Sequence, residues 1–123
     1  MSIVLDGLTY DNVGFNQNGQ FVYSEKSAGV PSGFAYLTTK VNTGTGKSDS
    51  VVKWNLSRPI VATADSDCTC AGDVLRTYYV KMEITIPAGS TAAERVDLGD
   101  QIQALVTTSQ WIGSVESLTQ PSS

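Results

Sequence analysis

Between Leu75 and Gln120 a strict two-residue alternation stops at a proline and gives way to a capped helical period. In Thr77-Tyr78-Tyr79-Val80-Lys81-Met82-Glu83-Ile84-Thr85-Ile86, one side carries Tyr78, Val80, Met82, Ile84 and Ile86, and the other Thr77, Tyr79, Lys81, Glu83 and Thr85. Such a strand buries one face and offers the other to something polar. Pro87, Ala88 and Gly89 end it, and Thr91 with Glu94 fits a capping box opening a helix that runs to about Thr107. Within that helix Leu98, Ile102, Leu105 and Val106 recur at i, i+4, i+7 and i+8, which predicts one apolar stripe. Trp111, Ile112, Val115 and Leu118 predict a second short helix, and Pro121 to Ser123 a frayed tail.

Upstream, Ile3 to Tyr10 and Gln20 to Lys26 read as two strands of a hairpin whose connection holds the turn dipeptide Asn18-Gly19. After a loop with Pro31, Ala35, Leu37, Thr39 and Val41 alternate with Phe34, Tyr36, Thr38, Lys40 and Asn42. The segment Thr43 to Asp49 reads as a turn, beyond which Val52, Trp54 and Leu56 alternate with Lys53, Asn55 and Ser57. The polar sides of these strands line up. Residues 62–74 form a long loop with Cys68 and Cys70, a length uncommon in a compact domain unless it serves a function. The fold expected is α+β in a single domain: an N-terminal β-hairpin over 1–27, a five-stranded antiparallel sheet over 33–86, and two C-terminal helices over 90–120. Two helices cannot cover such a sheet alone, and an antiparallel sheet tolerates only one solvated face, so a dimer is expected.

At 123 residues the chain has a high ratio of surface to volume. Its start, Met1-Ser2-Ile3-Val4, has no basic region, and no apolar run approaches the roughly 20 residues of a membrane span. A soluble protein made in the cytosol is expected. The formal charge of −4 argues against nucleic acid, because phosphate binding is dominated by Lys and Arg. Its distribution argues otherwise. Residues 33–58 and 76–85 hold Lys40, Lys47, Lys53, Arg58, Arg76 and Lys81 against Asp49 and Glu83, a net +4; the remainder holds Lys26 and Arg95 against ten carboxylates, a net −8. A sheet basic on one face can bind a polyanion although the chain is acidic elsewhere.

Catalytic chemistry finds little support. The chain has no histidine, which removes Ser-His and Cys-His nucleophile pairs, and two cysteines do not complete a four-ligand zinc site. Asp65, Asp67 and Asp73 are the only carboxylate cluster and suit a polar loop better than an active site. Gly44-Thr45-Gly46-Lys47-Ser48 resembles a phosphate loop, but the pattern needs glycine where Val41 stands and a helix where a strand follows. The sequon Asn55-Leu56-Ser57 lies mid-strand. Cys68-Thr69-Cys70 is too tightly spaced for an easy internal disulfide. No enzyme, cofactor, metal, membrane or small-molecule substrate is expected.

The strand ending in Met82-Glu83-Ile84-Thr85-Ile86-Pro87, the helix turn Ser90 to Arg95 and the stretch Lys53 to Thr63 together resemble the coat proteins of the single-stranded RNA bacteriophages, the leviviruses. The resemblance covers roughly residues 33 to 120. It implies a structural capsid protein, an interlocked homodimer in which each subunit's helices cover its partner's sheet, and an icosahedral shell in a virion assembled in the bacterial cytoplasm. It further implies binding of a hairpin in the viral RNA, with repression of translation and marking of the genome for packaging. The positions that match the family's RNA face are Tyr79, Lys81 and Glu83, joined through alternation by Thr38, Lys40, Lys53 and Asn55. Lys81 departs from the polar or acidic residue common there. Family members also carry two cysteines in the long loop that cross-link neighbouring subunits, which Cys68 and Cys70 would match at shorter spacing; two reduced thiols are the alternative. The competing reading of the whole chain is a non-viral β-rich adhesin or protein-binding module.

Overall fold

The computed structural model describes residues 2–44, 47–62 and 70–120. Six strands follow one another: β1 (Ser2–Leu5), β2 (Leu8–Phe15), β3 (Phe21–Glu25), β4 (Ala35–Asn42), β5 (Ser50–Val61) and β6 (Val74–Ile86). Helices α1 (Ala92–Val106) and α2 (Ser109–Ser117) follow. Every neighbouring pair is antiparallel, and the sheet order is the chain order. An antiparallel sheet followed by two C-terminal helices is the architecture that the alternation and the capping box predict.

The strand inventory differs from the expected hairpin plus five-stranded sheet. The segment read as one strand, Ile3 to Tyr10, is broken by a two-residue turn in which Asp6 and Gly7 take φ of 51° and 80°. Both central residues of a tight type I′-like hairpin need positive φ, and Asp-Gly is among the sequences that supply it. Residues 1–27 therefore contribute three strands, and 33–86 another three, to one continuous sheet. The Asn18-Gly19 turn is present as expected, closed by Asn16, whose Oδ1 accepts from the backbone N–H groups of Asn18 and Gln20. Strand β6 begins at Val74, earlier than the alternation suggested. Pro59 in β5 lies beyond the end of the β4 ladder at Tyr36↔Ser57, so its missing N–H costs no bond on that side.

Register fixes two faces. Leu37↔Leu56↔Val80, Thr39↔Trp54↔Met82 and Val41↔Val52↔Ile84 are rows of the apolar face across β4, β5 and β6. Its packed part is small: Tyr10, Tyr23, Ala35 and Leu37 are buried, with Ile3, Leu8, Trp54 and Leu56 against them. The corner to α1 is held by local bonds. Gly89 takes φ +83°, and the Ala88 N–H donates to Asp49 Oδ1 at 3.1 Å. The capping box is complete: Thr91 Oγ1 accepts from the Glu94 N–H at 3.2 Å, and Glu94 Oε1 accepts from the Thr91 N–H at 2.8 Å.

The Thr91 backbone N–H, followed by its side chain, holds the Glu94 carboxyl below the ordinary glutamate value. A depressed acid stabilises the fold above its unfolded value, so this contribution is fully present above about pH 4.5 and is lost as pH falls through the lowered folded value. Thr91→Ala is expected to cost about 1 kcal/mol, read by urea unfolding at fixed protein concentration. In Glu94→Gln the part of the acid sensitivity due to this carboxyl should disappear.

Candidate nucleic-acid interface and association surfaces

On the polar face three strands place their side chains in rows. Tyr36↔Ser57↔Tyr79, Thr38↔Asn55↔Lys81 and Lys40↔Lys53↔Glu83 run across β4, β5 and β6. All seven residues expected on an RNA face, Thr38, Lys40, Lys53, Asn55, Tyr79, Lys81 and Glu83, therefore share one surface. Tyr79 is 70% exposed. An open depression of about 440 Å³ is lined by Lys53, Asn55, Lys81, Met82 and Glu83, and a smaller one of about 90 Å³ lies beside it, between Tyr36 and Tyr79.

Two details revise the charge argument. Arg58 is in register with Tyr78, and Arg76 with Ile60; counted along β5 from Leu56 and along β6 from Val80, both arginines fall on the apolar side. Arg58 lines a groove there with Leu8, Glu25 and Ala35. Burial pushes the Tyr10 phenol of the same face up, with Arg58 opposing and Glu25 reinforcing. Across β4, β5 and β6 the polar face thus carries Lys40, Lys53 and Lys81 against Glu83, a net +2 rather than the +4 of the segments, and Asp11 of β2 adds a carboxylate farther along the same face. Moreover, Lys40 Nζ donates to the Asn18 carbonyl at 2.9 Å, tying its ammonium to the β2–β3 turn. Lys53 and Lys81 remain as the cations of the central and edge strands.

The missed residues are Tyr36 and Ser57. Both lie on the polar side of their strands in the alternation, but only the inter-strand register shows that they stand beside Tyr79. In the long loop, Cys70 is exposed, its N–H donating to Asp73 Oδ2 at 2.8 Å. Cys68, Asp65 and Asp67 lie outside the described residues, as do Thr45 and Gly46 of the turn before β5.

The opposite face is bare where the strands are longest. An apolar cleft of about 400 Å³ is lined by Ile3, Leu5, Leu37, Trp54, Leu56, Val80, Met82 and Ile84, with no helix residue among them. Val80 is 47% and Met82 38% exposed. Neither helix has a buried residue, and Val96, Leu105, Trp111, Ile112 and Val115 are open to solvent. No helix among the described residues is long and apolar enough to cross a membrane.

A sheet bare on its apolar side, trailing helices with nothing beneath them, defines a subunit that other chains complete. A family model for levivirus coat protein matches residues 6–121, and the chain belongs to that family. Its members are structural capsid proteins rather than enzymes, and their place is the virion; the adhesin reading falls away. Among solved structures, the virus-like particle of Beihai levi-like virus 21 is similar at TM-score 0.83 and 17% identity, over 99% of this chain and 97% of that one. The virus-like particle of bacteriophage NT-214 gives 0.81 and 15%, over 99% and 95%. The capsid protein of bacteriophage GA gives 0.73 and 15%, over 98% and 94%. At such identities the likeness establishes the fold. No curated protein matches the chain in sequence.

The placement of the cations has a measurable consequence. Lys53→Gln and Lys81→Gln should each lower the slope of log K against log salt for a single-stranded polyribonucleotide by roughly 0.7. Arg58→Gln and Arg76→Gln should leave it unchanged. Filter binding across a salt series checks both, and equal slopes for all four variants would count against the assignment.

Proposed function

We propose that the chain, a capsid subunit, works as an obligate homodimer that assembles into an icosahedral shell and binds a hairpin of the viral RNA on its polar sheet face. The observation that carries this is the pair of uncovered apolar surfaces in one chain. The cleft of Trp54, Val80 and Met82 lacks a lid, and the stripe of α1 with Trp111 and Ile112 of α2 lacks a floor. Between them lies β6, a 13-residue strand with no second neighbour among the described residues. A long edge with unpaired N–H and C=O groups is a template for another strand. A second copy paired along β6 and laying its helices over the cleft satisfies all three demands at once. Interfaces of this kind bury roughly 2,000 Å² or more and resemble a core cut in half, so folding and association become one event.

RNA then meets the opposite face, which two joined sheets would double in area. Exposed Tyr79 stacks on a splayed base, Lys53 and Lys81 contact phosphates, and Thr38 and Asn55 offer hydrogen-bonding groups to base edges. Glu83, opposite Lys53, excludes phosphate from that end and accepts from base amino groups. Lys40 acts by fixing the β2–β3 turn beside this surface. Occupation of the hairpin would repress translation of the downstream gene and mark the genome for packaging. Cys68 and Cys70 would join neighbouring subunits through the long loop under oxidising conditions.

Sedimentation of the purified protein should give dimers and shells, with no folded monomer at micromolar concentration. Met82→Asp, which sets a carboxylate in the cleft, should abolish both; a folded, monomeric parent protein would overturn the dimer. Oxidised shells should run as ladders of linked subunits on non-reducing gels and collapse with reductant. Monomer bands alone would remove the disulfide.

A further inference from the structure

Tyr36 stands on the polar face opposite Ser57, and Ser57 stands opposite Tyr79. The two tyrosines therefore flank a residue with a small side chain, two inter-strand steps apart, or roughly 9.5 Å between backbones. Tyr36 is 39% exposed, and the ring pair in contact among the described residues is Phe15 with Phe21, not the two tyrosines. The space between them is the depression of about 90 Å³, lined also by Thr38, Asn55, Ser57 and Lys81. By the share of liquid volume that one water occupies, that is room for about three waters. A flat ring held between two others needs about 3.5–4.0 Å on each side, or roughly 7–8 Å between walls, which a slight lean of both phenols supplies. Thr38 and Asn55 bring a hydroxyl and an amide to one end of the depression.

We propose that Tyr36 and Tyr79 form a two-walled slot that takes one unpaired nucleobase of single-stranded RNA edge-on, with Ser57 as its floor. The proposal rests on the reading of this face as RNA-binding and makes Tyr36 a specificity-determining residue within it. A single exposed ring accepts any base and lets it leave sideways. Two rings hold the base plane fixed, so that the Ser57 hydroxyl and the Asn55 amide meet its edge in one orientation. The slot favours a base that is already unstacked, in a loop or bulge, over one in a duplex. Lys81, in the adjoining row, is placed to meet the phosphate of the same nucleotide.

The test uses the full-length protein and a seven-nucleotide RNA of uridines with one central 2-aminopurine, whose fluorescence falls on stacking. Tyr36→Ala and Tyr79→Ala should each weaken binding roughly 5- to 100-fold and restore the fluorescence, in line with the loss of one stacking partner. The double variant should lose much less than the product of the two, because both rings hold one base. Tyr36→Phe should bind within about twofold of the parent, since the ring and not the hydroxyl forms the wall. Parent-like binding by Tyr36→Ala with loss in Tyr79→Ala would overturn the slot and leave the RNA face standing. Fully multiplicative effects would also overturn it, by showing two separate bases. If Tyr79→Ala, Lys53→Glu and Lys81→Glu all bound like the parent, the RNA face itself would fail and the slot with it.

Discussion

An apolar strand face with nothing above it is the constraint on which the rest depends. Val80, Met82 and Ile84 of β6 and Trp54 of β5 present a side that water penalises by about 25 cal/mol per Å² of apolar area. A chain of this length commonly meets that demand by folding its own helices back. Here the short N-terminal strands do part of the work, Ile3 and Leu5 reaching the cleft, while α1 and α2 stay clear of it. The buried core is accordingly minimal and lies under the β1–β3 end. Within the chain the apolar side of the long strands stays uncovered, and the proposed dimer is the arrangement that would cover it.

The corner after β6 is what keeps the helices from closing on their own sheet. Pro87 ends the ladder, Gly89 turns the chain at positive φ, and Asp49 reaches from the β4–β5 connection to hold the Ala88 N–H. Arg95 Nη1 then donates to the Ser90 carbonyl at 2.8 Å, and the Thr91–Glu94 box fixes the first turn of α1. Each bond is local and modest, worth on the order of 1 kcal/mol. Together they set a direction for α1, and direction is what a helix would require if, as proposed, it covers a second copy's sheet.

Much of this was legible in the residues. Period-two alternation assigned both faces of β4, β5 and β6, because a strand's side chains have no other choice once it is paired. The capping box located α1 to within a residue. What escaped were properties of register and of turns. Asp6-Gly7 carries the chemistry of a tight turn inside an apolar run that otherwise reads as one strand. Counting charge by segment placed Arg58 and Arg76 with the lysines, whereas their parity along β5 and β6 puts them on the opposite side. Lys40 counts as a free cation in the sequence, whereas in the fold its amine donates to the β2–β3 turn. Tyr36 had no visible neighbour until strand pairing set it across Ser57 from Tyr79. For Lys40 and Tyr36 the missing information was long-range, whereas the Asp6-Gly7 turn and the parity of the arginines are local.

The polar face also had to solve an internal problem before it could face a polyanion. Lys40 lies directly opposite Lys53, a like-charge pair that weakens a sheet. Two neighbours relieve it: the Asn18 carbonyl draws the Lys40 ammonium aside, and Glu83 stands across from Lys53 on the other strand. The repulsion is thus settled within the fold at one end of the face. At the other end the row of Tyr36, Ser57 and Tyr79 carries no charge at all, with Lys81 alone beside it. Cationic and aromatic rows are separated by one strand step, the order in which a nucleotide presents its phosphate and its base. Under the proposed RNA-binding role, charge would set how strongly such a surface holds any RNA, and the aromatic row which unpaired nucleotide it holds.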